Sequence, residues 1–151
     1  ELAVGYCTLY GDMNGGLSVI GDLYKTSVFE LCNWIDNESS SSCRNDFFLP
    51  EKGEIIGSII RNKPPSAELR PEQLDSDSLP DYFILDPILK GLIEEHLPTK
   101  VLIEKGFDQK IVNRIATLLK NSEFKRYQAP PLLKISNQAF GSGWKRPIAS
   151  R

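Results

Sequence analysis

The stretch from Glu1 to Lys25, ELAVGYCTLYGDMNGGLSVIGDLYK, carries two carboxylates, a glycine-rich turn and a lysine at the start of a helix. Together these groups suit a polyphosphate and its metal. Glu1 and Asp12 offer carboxylate oxygens, the usual ligands of magnesium and good acceptors for a ribose hydroxyl. Gly11, Gly15 and Gly16 let backbone approach a ligand where a β-carbon would block it. Lys25 sits in the first turn of a helix that Asp22 is expected to cap, so its charge opposes the helix dipole, at a cost of about 0.3–1 kcal/mol when exposed. An anion bound beside it reverses that penalty.

Other chemistries find less support. Cys7, Cys32 and Cys43 form no close pair and no metal-ligand spacing, and His96 is the only histidine, so a zinc site is not expected. Cys7 lacks a neighbouring base that would make it a nucleophile. Three unpaired thiols fit a reducing compartment, and the cytoplasm is the expected location. No apolar run approaches the roughly 20 residues of a membrane span, and no membrane role is expected. The formal net charge of -2 conceals a gradient, with 7 acids and 2 bases in residues 1–50 but 3 acids and 10 bases in residues 101–151. Such a gradient draws a metal to one end and phosphates to the other, or marks two solvated faces.

The elements that position these residues read as mainly helical. Residues Leu2 to Leu9 are expected to end a helix, and the glycine-rich loop then runs to Gly21. Val28, Leu31, Cys32 and Ile35 recur at helical spacing up to about Asp36. Ser39 to Phe47 reads as polar and structureless, and a short helix is expected near Glu54 to Arg61. Pro64, Pro65, Pro71 and Pro80 keep any helix out of Lys63 to Pro80, which reads as a mobile lid or binding loop. A helix follows around Phe83 to Ile93, kinked or restarted at Pro87 with Asp86 as its cap. Pro98 to Lys105 forms another, stopped by Gly106, and Asp108 caps a last one striped by Ile111, Val112, Ile115, Leu118 and Leu119. The proline-rich tail, residues 128–151, is expected to lay Phe140, Trp144 and Ile148 along another surface.

Five ordered strings, LAVGYCTLYGDMNGGLSVIGD, KPPSAELRPEQ, DSDSLPDYFILDPIL, GFDQKIVNRI and EFKRYQAPP, resemble the C-terminal part of the synthetase domain of NAD synthetases. YCTLYGDMNGG is closer to the glutamine-dependent branch. The likeness covers nearly all of residues 1–151 and omits only the serines around Ser39 to Ser42. It implies that the segment belongs to an α/β nucleotide-binding fold of the adenine nucleotide α-hydrolase-like, Rossmann-like kind, its helices covering a parallel sheet and contributing to a dimer or higher homo-oligomer. In that family ATP adenylates the nicotinate carboxylate of deamido-NAD, and ammonia from a separate glutaminase domain then displaces AMP. No protein nucleophile is required.

Carried over by position, the resemblance makes Glu1 a magnesium ligand, Asp12, Lys25 and Lys125 contacts to deamido-NAD, and Ser66 a contact to ATP from the loop. Glu68 and Arg70 are weaker candidates in the same loop. Where one branch has histidine this chain has Phe124, so no ring nitrogen acts there. The family's Ser-Gly-Gly pyrophosphate loop does not occur in the chain, which reads as a fragment expected to be inactive alone.

Two other readings compete. The pair of helices joined by Gly106, in a basic C-terminal third, is also the outline of a helix-turn-helix nucleic-acid module. A helical interaction domain with no ligand is the other. In either case Asp12 is a turn residue and Lys25 a surface lysine.

Overall fold

The structure, a computed structural model, describes residues 1–66, 71–141 and 143–148. It divides into two compact units, Tyr24–Asp77 and a second made of Glu1–Leu23 with Ser78–Arg151.

In the first unit, α1 runs Lys25–Ile35 and carries Lys25 at its first position. Its cap differs from expectation. Tyr24 occupies the cap position and makes no side-chain cap bond, because the Asp22 carboxylate is committed elsewhere (below). Ser39 to Phe47 also departs from expectation, since a 3-10 turn at Glu38–Ser40 leads into α2, Ser41–Asp46. Arg44 is the reason. Its buried guanidinium donates to the Ser40 hydroxyl at 2.9 Å, to the carbonyls of Pro50 at 3.2 Å and Gly53 at 2.9 Å, and to those of Ile35 and Asn37. All five guanidinium donors are thereby used, and a segment without apolar periodicity is ordered by polar contacts.

Asp36, just past α1, performs the complementary task as an acceptor. Its carboxylate takes the amides of Ile55 at 2.7 Å, Ile56 at 2.9 Å and Gly57 at 2.9 Å, and pairs with Arg61. This fastens α3, Ser58–Arg61, to the end of α1. Desolvation pushes the Asp36 carboxyl up, but the Ile56, Ile55 and Gly57 amides and the Arg61 charge outweigh it and hold the carboxyl below its ordinary value. A depressed folded-state value stabilises the fold above the unfolded carboxyl pKa of about 3.9, and that contribution disappears as pH falls through the lower folded value. Urea midpoints measured from pH 7 to pH 2 are therefore expected to fall in acid, less steeply in Asp36→Asn.

Beyond α3 the proline-rich stretch contains a 3-10 turn at Asp75–Asp77 and no longer helix among the described residues. Its two sides meet where the Asp75 amide donates to the Pro65 carbonyl at 3.0 Å and the Ser66 hydroxyl donates to the Gln73 carbonyl. Glu68 and Arg70 lie outside the described residues.

The second unit holds α4 (Tyr82–Ile93), α5 (Thr99–Glu104), α6 (Gln109–Asn121) and α7 (Glu123–Arg126). Leu85, Ile88, Leu89 and Ile93 of α4 meet Leu102 of α5 and Val112, Ile115 and Leu119 of α6 in the core. Asp108 caps α6 as expected, accepting from the Lys110 and Ile111 amides at 2.8 and 3.0 Å, and Gly106 turns the chain at φ 101°. Helix α4 does not restart at Pro87. Asp81 caps it by accepting from the Phe83 amide at 2.8 Å, and Asp86 is buried within it. Proline removes a single donor there, and the core contacts on both sides outweigh that loss.

Leu2 to Leu9 is not a helix but a series of turns. Gly5 has φ +76°, outside the helical range, and a β-carbon there would lie 2.4 Å from the Ser122 hydroxyl oxygen, so the strip 1–7 packs tightly against the start of α7. Asp22 ties the glycine-rich turn to the tail, accepting from the amides of Ile135 at 2.7 Å and Ser136 at 2.6 Å and from the Ser136 hydroxyl at 2.8 Å. Within the tail Trp144 is buried and stacks on His96 with ring centroids 6.0 Å apart, while Ile148 remains exposed. Among the described residues only isolated parallel bridges occur, Ser18 with Leu132 and Phe140 with Trp144. The mainly helical expectation holds, and the parallel sheet implied by the resemblance is not found among them.

Candidate functional site

Three of the five expected site residues, Glu1, Asp12 and Lys125, belong to one unit, and the charge of each bears on Cys7. Burial pushes the Cys7 thiol above its ordinary value, the Lys125 charge opposes that, and Asp12 and Glu1 reinforce it. A thiol so raised is a poor nucleophile. Cys7 should accordingly react with an Ellman-type reagent more slowly than the half-buried Cys32 and Cys43; equal rates in the three single-cysteine variants would contradict its burial.

Lys125 comes from α7, which is held against residues 1–7 by close packing at Gly5. Its Nζ donates to the Gly5 carbonyl at 2.6 Å and the Cys7 carbonyl at 2.8 Å. An ammonium has three donors, and these two bonds use two of them. Asp12 is exposed and accepts from the Thr8 amide, closing a turn in which the Gly11 and Met13 amides also bond the Thr8 carbonyl, at 3.2 and 3.3 Å. The turn role is thus realised, and Asp12 stands at its surface. A β-carbon on Gly15 or Gly16 would meet nothing within 4 Å, so the space beside this turn is open.

Lys25 and Ser66 belong to the other unit. Lys25 is half-buried at the first position of α1, a helix with no acid in its first turn and no capping side chain. Ser66 is half-buried on the root of the proline-rich loop, its hydroxyl given to Gln73.

Among the described residues no three His, Cys, Asp or Glu groups gather as a metal cage. Magnesium shared with substrate phosphates needs only one or two protein carboxylates, and the exposed Glu1 fits that smaller requirement. No described helix is long and apolar enough to cross a membrane.

Residues with no motif of their own organise the surroundings. Arg126 pairs with Glu123 at 2.8 Å, both side chains 3% exposed, and gives its remaining donors to the carbonyls of Leu2, Ala3 and Leu119. Burial pulls the guanidinium below its ordinary value and Glu123 opposes that. A cavity of about 290 Å³ borders Arg126, Tyr127, Phe140 and Trp144, but Glu1, Asp12 and Lys125 do not line it. Arg126 faces it with its donors already used. In the sequence the only sign of Arg126 was its place beside Lys125 in EFKRYQAPP.

Comparison with known proteins agrees with the ordered strings. The profile of the family described as NAD synthase matches residues 1–129. A glutamine-dependent NAD(+) synthetase from Synechocystis sp. is 52% identical over 149 residues, covering 99% of this chain and 24% of the relative. One from Rhodobacter capsulatus is 44% identical over 151 residues, covering 100% of the chain and 26% of the relative. The solved glutamine-dependent NAD+ synthetase from Acinetobacter baumannii, in complex with ADP, is 36% identical with a TM-score of 0.46, covering 97% of this chain and 23% of that one. The chain thus spans about a quarter of the length of the curated relatives it matches. With the profile matching residues 1–129 and one relative 52% identical over 99% of its length, the chain belongs to the NAD synthase family.

Proposed function

We propose that this chain is the C-terminal portion of the synthetase domain of a glutamine-dependent NAD synthetase, and that it helps convert deamido-NAD to NAD with ATP and ammonia. The observation that carries this reading is the family match across residues 1–129, joined to 52% identity over 99% of the chain. Adenylation of a carboxylate followed by displacement of AMP by ammonia asks a protein for alignment and charge neutralisation rather than for a nucleophile. The residues here suit those tasks. Lys25 offers a cation to deamido-NAD, where a bound anion relieves its conflict with the helix dipole. Asp12 offers an acceptor at the glycine-rich turn, and Lys125 an ammonium donor. Ser66 exchanges its bond to Gln73 for an ATP oxygen. Glu1 contributes a carboxylate to magnesium, which when bound neutralises charge on the phosphates.

The same reading makes the segment part of an α/β nucleotide-binding fold and of a homo-oligomer, with 63–80 as its lid. Ammonia comes from a glutaminase domain, and the reaction takes place in the cytoplasm. The nucleic-acid reading gains nothing, because α5 and α6 pack as core helices and Arg114 of α6 is engaged by the Ser78 carbonyl.

The test is a chimera in which this chain replaces the matching residues of the Synechocystis enzyme. NAD formation from deamido-NAD, ATP and ammonia is expected within about tenfold of the parent, a difference of roughly 1.4 kcal/mol in barrier. A folded chimera that makes no NAD would refute the proposal.

A further inference from the structure

The unit Tyr24–Asp77 carries both Lys25 and Ser66, and the connection between them runs through one buried carboxylate. Lys25 begins α1, which is 11 residues long and spans about 16 Å at 1.5 Å per residue. Asp36 follows its far end with a side chain 1% exposed. It binds three successive amides, Ile55 to Gly57, and Arg61, the last residue of α3. Glu54 braces the same turn, accepting from the Ser58 amide at 2.9 Å and from Arg61 at 2.7 Å. Helix α3 then leads within five residues to Ser66, whose position is closed from the other side by the Pro65–Asp75 bond at 3.0 Å. Acceptor and amides are about 20 residues apart in the chain, so Asp36 ties the start of this root to the end of α1 across a separation that local sequence does not bridge.

We propose that Asp36 is a positioning residue, which fixes the root of the Ser66 loop on the helix that bears Lys25 and so sets where the loop hydroxyl meets ATP. This rests on the reading of Ser66 as an ATP contact. Asparagine at position 36 is nearly the same size, but it loses the charge that Arg61 needs and turns an NH2 group toward amides that require an acceptor.

The experiment uses the complete enzyme and the variants Asp36→Asn and Ser66→Ala, with KM measured separately for ATP and deamido-NAD well below the unfolding temperature. Asp36→Asn is expected to raise KM for ATP roughly 10-fold to 100-fold, the scale of a contact displaced by about an ångström, and to leave KM for deamido-NAD within about twofold. Amide exchange at Ile55 to Gly57 should quicken in the same variant. A variant with only a lowered melting temperature and an unchanged KM for ATP overturns the proposal, as does an equal rise in both constants. If Asp36→Asn does not fold, Arg61→Gln is read by the same two constants and decides in the same way. Ser66→Ala separates the two ideas. If it spares ATP while Asp36→Asn does not, the Ser66 contact is wrong and the Asp36 anchor acts through another residue of the loop.

Discussion

In the complete enzyme, Lys25→Ala is expected to lower kcat/KM for deamido-NAD about 10-fold to 100-fold while leaving stability unchanged or slightly raised. The activity term is the loss of a charge-assisted contact worth about 1.5–3 kcal/mol, at about 1.4 kcal/mol per tenfold. The stability term is expected to have the opposite sign because Lys25 begins α1, where the helix dipole repels a cation. Opposite signs in one substitution identify a residue kept for a ligand. Asp12→Asn should lose activity in the same direction, yet it should also weaken its own turn slightly, since the carboxylate accepts the Thr8 amide. Steady-state kinetics paired with melting curves check both. Normal deamido-NAD kinetics in the two variants, with only the melting temperature altered, would return Asp12 and Lys25 to a turn and a surface lysine.

Arg126→Ala is expected to be among the most damaging changes to the fold, destabilising it by about 3–5 kcal/mol, the range for breaking one side of a buried ion pair. Removing the guanidinium leaves the Glu123 carboxylate buried without its cation and strips donors from the carbonyls of Leu2, Ala3 and Leu119. The packing of the Phe140 ring, 5.0 Å from the guanidinium carbon, is lost with it. Lys125 should feel the change indirectly, because α7 and residues 1–7 are joined by both side chains. Chemical denaturation of Arg126→Ala against Lys125→Ala separates the roles. A stability loss confined to Lys125→Ala would contradict this division, whereas loss of substrate affinity with a smaller loss of stability, from the Gly5 and Cys7 carbonyls left without their donor, is the expected signature of Lys125.

Much of the helical architecture was legible in the residues. The stripe of Ile111, Val112, Ile115, Leu118 and Leu119, with Asp108 before it and Gly106 before that, located α6 and the end of α5 because stripe, cap and stop are all local signals. Three of the errors share one cause. Asp22 has the right spacing to cap α1, but amides at Ile135 and Ser136 take its carboxylate. Asp86 precedes a proline and looks like a cap, but Asp81 reaches the free amide first. Residues Ser39 to Phe47 lack any apolar period, and Arg44 orders them through carbonyls up to nine positions away. A polar side chain's local options are visible in its neighbours, while the partner it finally takes depends on which distant backbone arrives beside it.

The sequence by itself determined the family, through five strings in order, together with helix stripes, proline breaks and the residues able to meet a nucleotide. Those properties depend on residue type and short spacing, which exist before the chain folds. Only the tertiary structure decided that Lys125 bonds the Gly5 and Cys7 carbonyls, that residues 1–7 are turns packed on α7, and that Asp36, Arg44 and Arg126 serve as polar hubs. For Asp36, some 20 residues from its amides, and for Arg126, more than 120 from the Leu2 and Ala3 carbonyls, the hydrogen bonds join groups no sequence window contains. They form because a buried charge without partners costs several kcal/mol, a penalty that arises only once packing has removed the water.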